Sequence, residues 1–417
     1  MSSEHEHDTA THEVAPPPAA VDHETLADYA RGRIVGIRAG DLGSLPIIVG
    51  IILIAIYFQY RNDNFLTAGN FVNLITQMAA ISIIGMGIVF VLLLGEIDLS
   101  IGFVSGVGGV VCALLLLPDG NQSSAGVAIA AAIGSGLIIG LFQGVLFAKV
   151  GIPSFVVTLA GLLAWNGVVL QLIGDRGTVV IQNNFVNGIA NDNLSDIGGW
   201  LVVEGAVLLY ALNQLIAVRS RARAGLPNVP MSLIALRIAA LAIGGALIVL
   251  VVNSDRGLPY VGVLIIALMV AWTFITDRTR FGRHVYAVGG NAEAARRAGI
   301  NIDRVRIAVF GISGAMAGLG GVVLASRLSS VDTNAGGGSI LLYSIAAPVI
   351  GGTSLFGGRG TIRSAILGAV VIASIDNGLG LVNVSAGTKF IVTGVVLLAA
   401  VTVDSLSRRG RASAGRA

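Results

Sequence analysis

Polar and ionisable side chains inside apolar sequence are the residues whose chemistry stands out in this chain. Glu96 and Asp98 lie in the stretch LLLGEIDLSIG between two long apolar runs, and Ser100 follows directly. Asp376 and Asn377 lie inside another apolar run, AILGAVVIASIDNGLGLV. A carboxylate at membrane depth is costly and faces a protein interior or a water-filled cavity. These residues therefore either line a path across a membrane or cap broken helices, and the sequence leaves both alternatives open.

Catalytic chemistry is not indicated elsewhere in the sequence. Neither lysine, Lys149 or Lys389, belongs to a nucleotide-binding loop of the form G-x-x-x-x-G-K-[ST]. No metal-ligand cluster and no paired nucleophile and base stand out. The glycine string GISGAMAGLGG follows no predicted strand, so it indicates helix packing rather than a dinucleotide site. We expect no enzyme activity, no metal site and no cofactor bound by this chain.

Composition places the chain in a membrane. Apolar residues make up 54% of it and charged residues only 12%, whereas soluble domains carry about 25% charged residues. Twelve apolar runs come close to the length of about 20 residues that a helix needs to cross the hydrocarbon. They are 44–60, 70–94, 99–117, 124–148, 153–174, 199–218, 232–253, 259–276, 305–325, 339–356, 361–381 and 387–404. The predicted fold is an all-α polytopic membrane protein with some broken helices.

The distribution of arginine predicts the orientation in the membrane. Starting from a cytoplasmic N-terminus, the alternating inside segments collect most of the cationic residues, and the outside segments keep only isolated arginines. The inside segments hold Arg31, Arg33 and Arg38; Lys149; Arg219, Arg221 and Arg223; Arg278 to Arg306; Arg359 and Arg363; and Arg408, Arg409 and Arg411. Because cytoplasmic loops are enriched in cations, both termini are predicted to be cytoplasmic.

The chain divides into a transmembrane domain, residues 41–405, between a polar N-terminal tail, 1–40, and a C-terminal tail, 406–417. Within the domain, 199–253 is predicted to be an inserted helix pair, and 277–306 a cytoplasmic loop. The N-terminal tail shows no apolar region typical of a cleaved signal peptide. It holds four histidines, His5, His7, His12 and His23. A solvated, disordered tail is favoured over a metal-binding one.

A weak similarity between two segments of the sequence suggests that the domain is an inverted repeat. The sequence SFVVT at 154–158 opens one apolar span, and KFIVT at 389–393 opens another. With the inserted pair set aside, the two spans lie five apart and face opposite ways, as an inverted repeat requires. Chance similarity between apolar segments is the competing explanation.

The loop 277–306 is predicted to contain a short helix. Asn291 can accept hydrogen bonds from the first free amides of a helix, AEAARRA is composed of strong helix formers, and Gly299 can end the helix in the left-handed conformation. The helix is predicted at 292–298. It either docks into a groove of another protein or is part of a solvated, basic loop. Its contact residues would be Ala292, Ala294, Ala295, Ala298, Arg296 and Arg297.

Three motifs in this order resemble those of the ribose and xylose permease family, the membrane subunits of bacterial ABC sugar importers. The first is GEIDLSIG at 95–102, with Glu96 where the family commonly has glycine. The second is FGRHVYAVGGN at 281–291, followed by Ala294-Ala295-Arg296 and Gly299-Ile300. The third is VIGGTSLFGGRGTIRSAILG at 349–368. The resemblance covers nearly the whole chain from about residue 44.

The resemblance implies a permease subunit in the bacterial cytoplasmic membrane, surrounded by lipid, that forms a homodimer. It implies two further partners, an ABC ATPase that binds ATP and Mg and an extracytoplasmic sugar-binding protein, but no nucleic acid. The ATPase would contact a coupling segment comprising Gly289, Gly290, Asn291, Ala294, Ala295, Arg296, Arg297 and Gly299. The inserted pair resembles that of the longer xylose-type permeases and points to D-xylose or another pentose. Ribose, galactose or another small polar solute remains an alternative.

Two functions of other classes compete with this interpretation. A secondary transporter would use Glu96, Asp98 or Asp376 to carry a proton, and a membrane scaffold would carry no solute. The ABC interpretation explains the absence of a nucleotide loop in the sequence, because a partner subunit supplies the energy.

Overall fold

The computed structural model describes Arg31 and residues 45–118, 122–225 and 229–413. The four tail histidines and most of the N-terminal tail lie outside the described residues. The first half of the domain contains α1 (Leu45–Arg61), α2 (Ala68–Leu93), α3 (Ile101–Leu115), α4 (Ala125–Val145), which continues as a π-helical turn (Leu146–Val150), and α5 (Ser154–Ile173). A 3₁₀ turn (Gly174–Arg176), β1 (Thr178–Val180), α6 (Asn184–Asn191), α7 (Asp196–Arg223) and α8 (Met231–Asn253) follow. The remainder contains α9 (Tyr260–Arg278), α10 (Arg280–Gly290), α11 (Ala292–Arg297), α12 (Ile302–Leu328), β2 (Ser330–Asp332), α13 (Ser339–Ile350), α14 (Ile362–Leu381) and α15 (Ala386–Ser413).

The prediction of an all-α polytopic membrane protein is confirmed. In the described part of the chain, 8 helices are long and apolar enough to cross a membrane, and four shorter apolar helices accompany them: α1, α3, α13 and the first part of α15. Each coincides with one of the predicted apolar spans. The C-terminal tail predicted from residue 406 is largely a continuation of α15, which runs to Ser413.

Two long helices, α2 and α12, form the centre of the bundle. Most of each is buried, and the two pack against each other in opposite directions: Gly87 of α2 lies against Met316, whereas Gly320 of α12 lies against Ile84. Helix α4 lies on the other side of α12, where a side chain added to Gly136 would collide with the backbone of Gly314. The glycines thus bring helix backbones together where the hydrophobic effect between helices is weak.

The two halves of the domain repeat the same order of elements. Helix α2 is followed by a non-helical segment, 94–100, and the short helix α3; helix α12 is followed by a second one, 329–338, and the short helix α13. We name these segments the first break and the second break. Helices α3 and α13 are only about 22 and 18 Å long, so the breaks cover the remaining membrane depth. The antiparallel course of α2 and α12 is the arrangement that an inverted repeat requires.

The inserted pair, α7 and α8, lies at the edge of the bundle. The two helices pack mainly on each other, and Gly199 is the one buried residue of α7. The pair lies between the two repeated halves in the order of the chain. When α7 and α8 are left out, the remaining helices form two sets in matching order.

Candidate functional site

The first break begins because Gly95 ends α2. Gly95 has φ +77, which favours glycine, and its N–H donates to Leu92 O at 2.9 Å while that of Glu96 donates to Val91 O at 3.2 Å. This pair of hydrogen bonds is a Schellman motif, which satisfies the last carbonyls of a helix. The sequence GEIDLS therefore leaves α2 as an extended segment rather than continuing it.

Asp98 is the centre of a buried polar cluster at the end of the first break. Its Oδ1 accepts hydrogen bonds from the backbone N–H of Ser100 at 2.9 Å and from the Ser100 hydroxyl at 2.7 Å. The amide of Gln143 in α4 donates to the same hydroxyl at 2.9 Å. The hydroxyl of Ser313 in α12 contacts Oδ2 at 3.5 Å. Because Asp98 lies beside the first amides of α3, it stabilises the start of that helix.

This arrangement bears on the two alternatives for Asp98. It is 3% exposed, and no cation of the described residues lies within ion-pair distance of it. Its hydrogen-bond partners are hydroxyls and backbone amides, which are the groups that cap a broken helix. The geometry favours the cap, and a role in lining a path stays a prediction.

The predicted short helix in the loop is present as α11. Asn291 Oδ1 accepts from the N–H of Ala294 at 2.9 Å, and Gly299 follows the helix with φ +83. The preceding helix α10 was not predicted, since FGRHVYAVGGN is rich in glycine. It forms because the Thr279 hydroxyl accepts from Gly282 N–H at 3.3 Å and because Val285 and Val288 are buried against the bundle.

The three sequence motifs meet at one place, the end of the bundle that carries α10 and α11, which we name the basic end. The N–H of Gly358, from the third motif, donates to Leu93 O at the end of α2 at 2.9 Å. A side chain on Gly289, from the second motif, would collide with both partners. Tyr286 of α10 also donates its hydroxyl to Gly360 O at 2.8 Å. Helix α10 is thereby held against the end of α2, directly before the first break.

Burial and a nearby carboxylate keep the Tyr286 hydroxyl in its donating form. Burial is the main reason that the pKa of Tyr286 is raised above its usual range, and the charge of Asp277 raises it further. The phenol is protonated at neutral pH even with the ordinary tyrosine pKa of about 10, and the raised pKa extends to higher pH the range in which it can donate to Gly360. Helix α10 sits outside the apolar spans, where such a hydrogen bond must compete with water.

Helix α11 presents most of its predicted contact residues to solvent, but Ala295 is buried and Ala292 is half-buried against the same cluster. Ala295 is 4% exposed and belongs to the buried cluster that includes Phe147 and Ile302. Gly290 is exposed, and a side chain added there would meet nothing. The basic side chains pair with Glu293 on the same helix, Arg296 at 3.6 Å and Arg297 at 3.4 Å. The remaining members of the predicted segment, Asn291, Ala294 and Gly299, are exposed as well.

Asp376 and Asn377 lie far from this end and do not break a helix. Both are inside the continuous helix α14, so the prediction of a helix break there is wrong. The helix remains intact because Asn377 exchanges two hydrogen bonds of 2.9 Å with Asn70 of α2. Asp376 pairs with Lys389 at 3.7 Å. A role in lining a path stays a prediction for these two residues.

Several residues of the site were not identified from the sequence. Gln143, Ser154, Tyr286, Arg306 and Ser313 contact the predicted residues from other elements. One of these contacts, that of Arg306 with Glu96, has a signal in the sequence, because Glu96 occupies a position of the first motif where glycine is common. Among the described residues, no group of three His, Cys, Asp or Glu could hold a metal ion.

The fold and the three converging motifs define a membrane component of a transport system. Residues 70–401 match the family model described as branched-chain amino acid transport system / permease component. The chain belongs to this family. It is therefore a transport component rather than an enzyme, a multi-pass protein of the inner membrane whose family implies an ATPase partner and an extracytoplasmic binding protein.

Individual relatives narrow the comparison to sugar permeases. The chain is 35% identical over 386 residues to the xylose transport system permease protein XylH of Escherichia coli (strain K12), which covers 92% of this chain and 97% of the relative. It is 32% identical over 375 residues to the ribose import permease protein RbsC of the same strain, covering 90% and 97%. The D-allose transport system permease protein AlsC of that strain is 31% identical over 358 residues, covering 85% and 89%. These matches confirm the predicted resemblance to ribose- and xylose-type ABC permeases. No solved structure matches the chain significantly.

Proposed function

We propose that this chain is the permease subunit of an ABC importer that carries a monosaccharide, D-xylose or another pentose, across the cytoplasmic membrane. The observation that carries the proposal is the contact of α10 with the end of α2, directly before the first break, through Gly289, Leu93 and Gly358. A force applied to the exposed helix α11 reaches the break through this contact. The sugar is inferred from the name of the XylH relative, and ribose, galactose or another small polar solute is the alternative.

The complete transporter would contain two copies of this chain. In the proposed assembly, each copy contacts an ATPase subunit that binds ATP and Mg, and a sugar-binding protein delivers the solute from outside. Many large apolar side chains of α1, α5 and α7 are exposed, which suits a lipid-facing surface and a contact between copies. The arginines of α10 and α11 support a cytoplasmic position for the basic end, and we propose that both termini lie on the same side.

The coupling segment of this proposal comprises Gly289, Gly290, Asn291, Ala294, Ala295, Arg296, Arg297 and Gly299. Its two exposed arginines can exchange Glu293 for carboxylates of the ATPase, because a solvent-exposed ion pair on one helix is worth only about 0.5 kcal/mol. Asn291 and Gly299 fix the ends of α11, and Ala295 anchors it to the bundle.

Uptake in vesicles tests the transport function. The chain is reconstituted with the ATPase and the sugar-binding protein encoded with it, and radiolabelled D-xylose, ribose and galactose are offered in turn. We expect uptake that needs both ATP and the ATPase subunit, with D-xylose the preferred solute. Uptake driven by a proton gradient alone would instead identify a secondary transporter, and the absence of any flux would identify a scaffold.

Docking of the ATPase is tested separately from transport. We expect Arg296→Glu and Gly290→Trp to reduce the ATPase recovered with the permease by about tenfold or more, since charge reversal and steric block each cost about 1.4 kcal/mol or more at a contact. Both positions are exposed, so membrane insertion and thermal stability stay at the wild-type level. Normal recovery of the ATPase with both variants would remove α11 from the proposed contact.

A further inference from the structure

The side chain of Glu96 connects three elements at the basic end. Glu96 lies in the first break, three residues beyond α2. Its Oε2 accepts a hydrogen bond from the Ser154 hydroxyl, at the start of α5, at 2.6 Å. Its Oε1 lies 4.0 Å from Nη2 of Arg306, in the second turn of α12. One carboxylate therefore holds the break, α5 and α12 together.

Arg306 is seated so that its charge faces Glu96. Its guanidinium carbon lies 4.5 Å from the centroid of the Phe147 ring, which belongs to the π-helical turn after α4. A guanidinium over an aromatic face is attracted by the ring, and stacking restricts its side chain. The pair is also sheltered, since the side chains of Arg306 and Glu96 are 27% and 21% exposed.

A second ion pair in the same place provides a comparison. Lys149, in the same π-helical turn as Phe147, lies 3.5 Å from Asp303, one turn before Arg306 on α12. The side chains of Lys149 and Asp303 are 61% and 37% exposed, and neither residue belongs to the first break. An exposed pair of this kind is screened and contributes little. The Lys149 pair joins α12 to the π-helical turn, whereas the Glu96 pair joins α12 to the first break.

Arg306 is linked to α11 by a short and well-ordered connection. The N–H of Ile300 donates to Ala295 O at 3.0 Å, and Asn301 Oδ1 accepts from Arg304 N–H at 3.0 Å. Ala295, Phe147 and Ile302 belong to one buried cluster. A displacement of α11 therefore carries the first turns of α12, and Arg306 with them.

We propose that Glu96 is a positioning residue that passes movement of α11 to the first break and to α5 through its contact with Arg306. This inference rests on the proposed transport function. While the pair is formed, the break stays closed against α5 and α12. When α11 shifts, Arg306 leaves Glu96, and the break is released together with the start of α5.

The test compares the sugar moved with the ATP hydrolysed by the reconstituted complex. Glu96→Gln removes the charge but keeps an acceptor for Ser154, and Arg306→Gln removes the other charge. We expect each variant to hydrolyse ATP yet to move at least about fivefold less D-xylose per ATP, the lower range of typical coupling between sites. A residue that only supports the fold would lower uptake and hydrolysis together, so an unchanged ratio of the two would overturn the proposal.

A double-mutant cycle assigns the effect to the pair. We expect the variant Glu96→Gln/Arg306→Gln to have about the same ratio as either single variant, because the second change removes an interaction that is already lost. Multiplied losses in the double variant would mean that the two residues act separately, and the proposal would be wrong. Ser154→Ala, a milder change, is expected to lower the ratio less than Glu96→Gln and gives a result even if the charge variants fold poorly.

The exposed pair supplies the matched control. We expect Lys149→Gln/Asp303→Asn to leave the ratio of D-xylose to ATP unchanged, although it removes two charges from the same elements. A comparable fall in this control would overturn the specific role of Glu96. If the wild-type complex shows no ATP-dependent uptake, the proposed function fails; if it transports normally and Glu96→Gln does too, only this inference fails.

Discussion

The two breaks occupy matching places in the two halves, yet they are held by different interactions. Beyond the backbone contacts at its start, side chains hold the first break: Asp98 binds Ser100, and Glu96 contacts Ser154 and Arg306. Backbone contacts hold the second break. Its strand β2 pairs with β1, as Val331 does with Val179, and its residues Ala335 and Gly336 lie directly against α3.

The difference indicates which break is suited to move. Backbone contact through glycine has no adjustable partner, so it is either formed or sterically blocked. A contact between charged or hydroxyl side chains can be released and formed again with little change in packing, at a cost of a few kcal/mol. The first break, which lies beside α10 and α11, has the contacts that a coupled movement needs.

The largest expected effect concerns the backbone contact of the second break. A side chain on Gly106 of α3 would collide with the carbonyl of Ala335. We therefore expect Gly106→Leu to lower the free energy of unfolding by about 3 kcal/mol, the upper range for overpacking a well-packed site. Thermal unfolding of the detergent-solubilised protein measures it. Gly134→Leu on α4 is the control, because nothing lies within 4 Å of that position.

A similar loss of unfolding free energy in Gly106→Leu and Gly134→Leu would show that leucine destabilises these membrane helices at any glycine position. The claim that close backbone packing fixes the second break would then be wrong. A normal melting temperature for Gly106→Leu would have the same consequence, since it would mean that the second break adjusts.

The next effect concerns the polar cluster of the first break. Asp98→Leu leaves the Ser100 amide and hydroxyl without their acceptor, and we expect it to cost about 2 kcal/mol. Asp98→Asn keeps one acceptor oxygen, so it is expected to express normally while changing the rate of D-xylose uptake. Thermal unfolding and vesicle uptake are measured on the same preparations. Unchanged uptake with Asp98→Asn would place Asp98 among purely structural caps.

A smaller effect is expected where α10 meets the end of α2, directly before the first break. Gly289→Ala forces Leu93 and Gly358 apart and breaks the hydrogen bond between them. We expect it to cost about 1–2 kcal/mol and to reduce uptake per ATP. Gly167→Ala on α5 is the control and should leave both quantities unchanged, because its added methyl meets nothing within 4 Å. Equal behaviour of the two variants would argue against a rigid contact at Gly289.

The smallest effect, and one that depends on pH, concerns Tyr286. Tyr286→Phe removes the hydrogen bond to Gly360 and is expected to cost about 1 kcal/mol. The pKa of Tyr286 is raised by folding, so its neutral form is favoured in the folded state. Its contribution is present below the ordinary tyrosine pKa of about 10 and is lost as the pH rises through the higher folded value. Unfolding midpoints of wild type and variant should therefore converge above pH 10; a constant difference would assign the effect to packing.

Local sequence was sufficient to predict the ends of helices where the hydrogen-bond partners are neighbours in the chain. Asn291 and Gly299 set the ends of α11 through bonds within a few residues, and Gly95 ends α2 in the same way. These features follow from the conformational preferences of single residues. The twelve apolar spans were similarly readable, because each depends on its own composition.

Long-range partners could not be inferred. Gln143 and Ser313 are separated from Ser100 and Asp98 by 43 and 215 positions. The helix break predicted at Asp376 and Asn377 was wrong because its polar side chains find partners 307 positions away, in Asn70, and nearby in Lys389. Polarity alone shows that a residue needs a partner, but whether the backbone must open to provide one depends on packing.

The edge position of α7 and α8 has a consequence for how such a chain can change. The hairpin enters and leaves the bundle between its two repeated halves, and its main contact with the central helices is at the end of α8, where Val252 packs against Val72 of α2. Lengthening the hairpin at its far end would leave this contact and the two breaks in place. This far end is the point at which sequence can be gained in evolution, or a reporter domain inserted by an experimenter, without disturbing the moving parts.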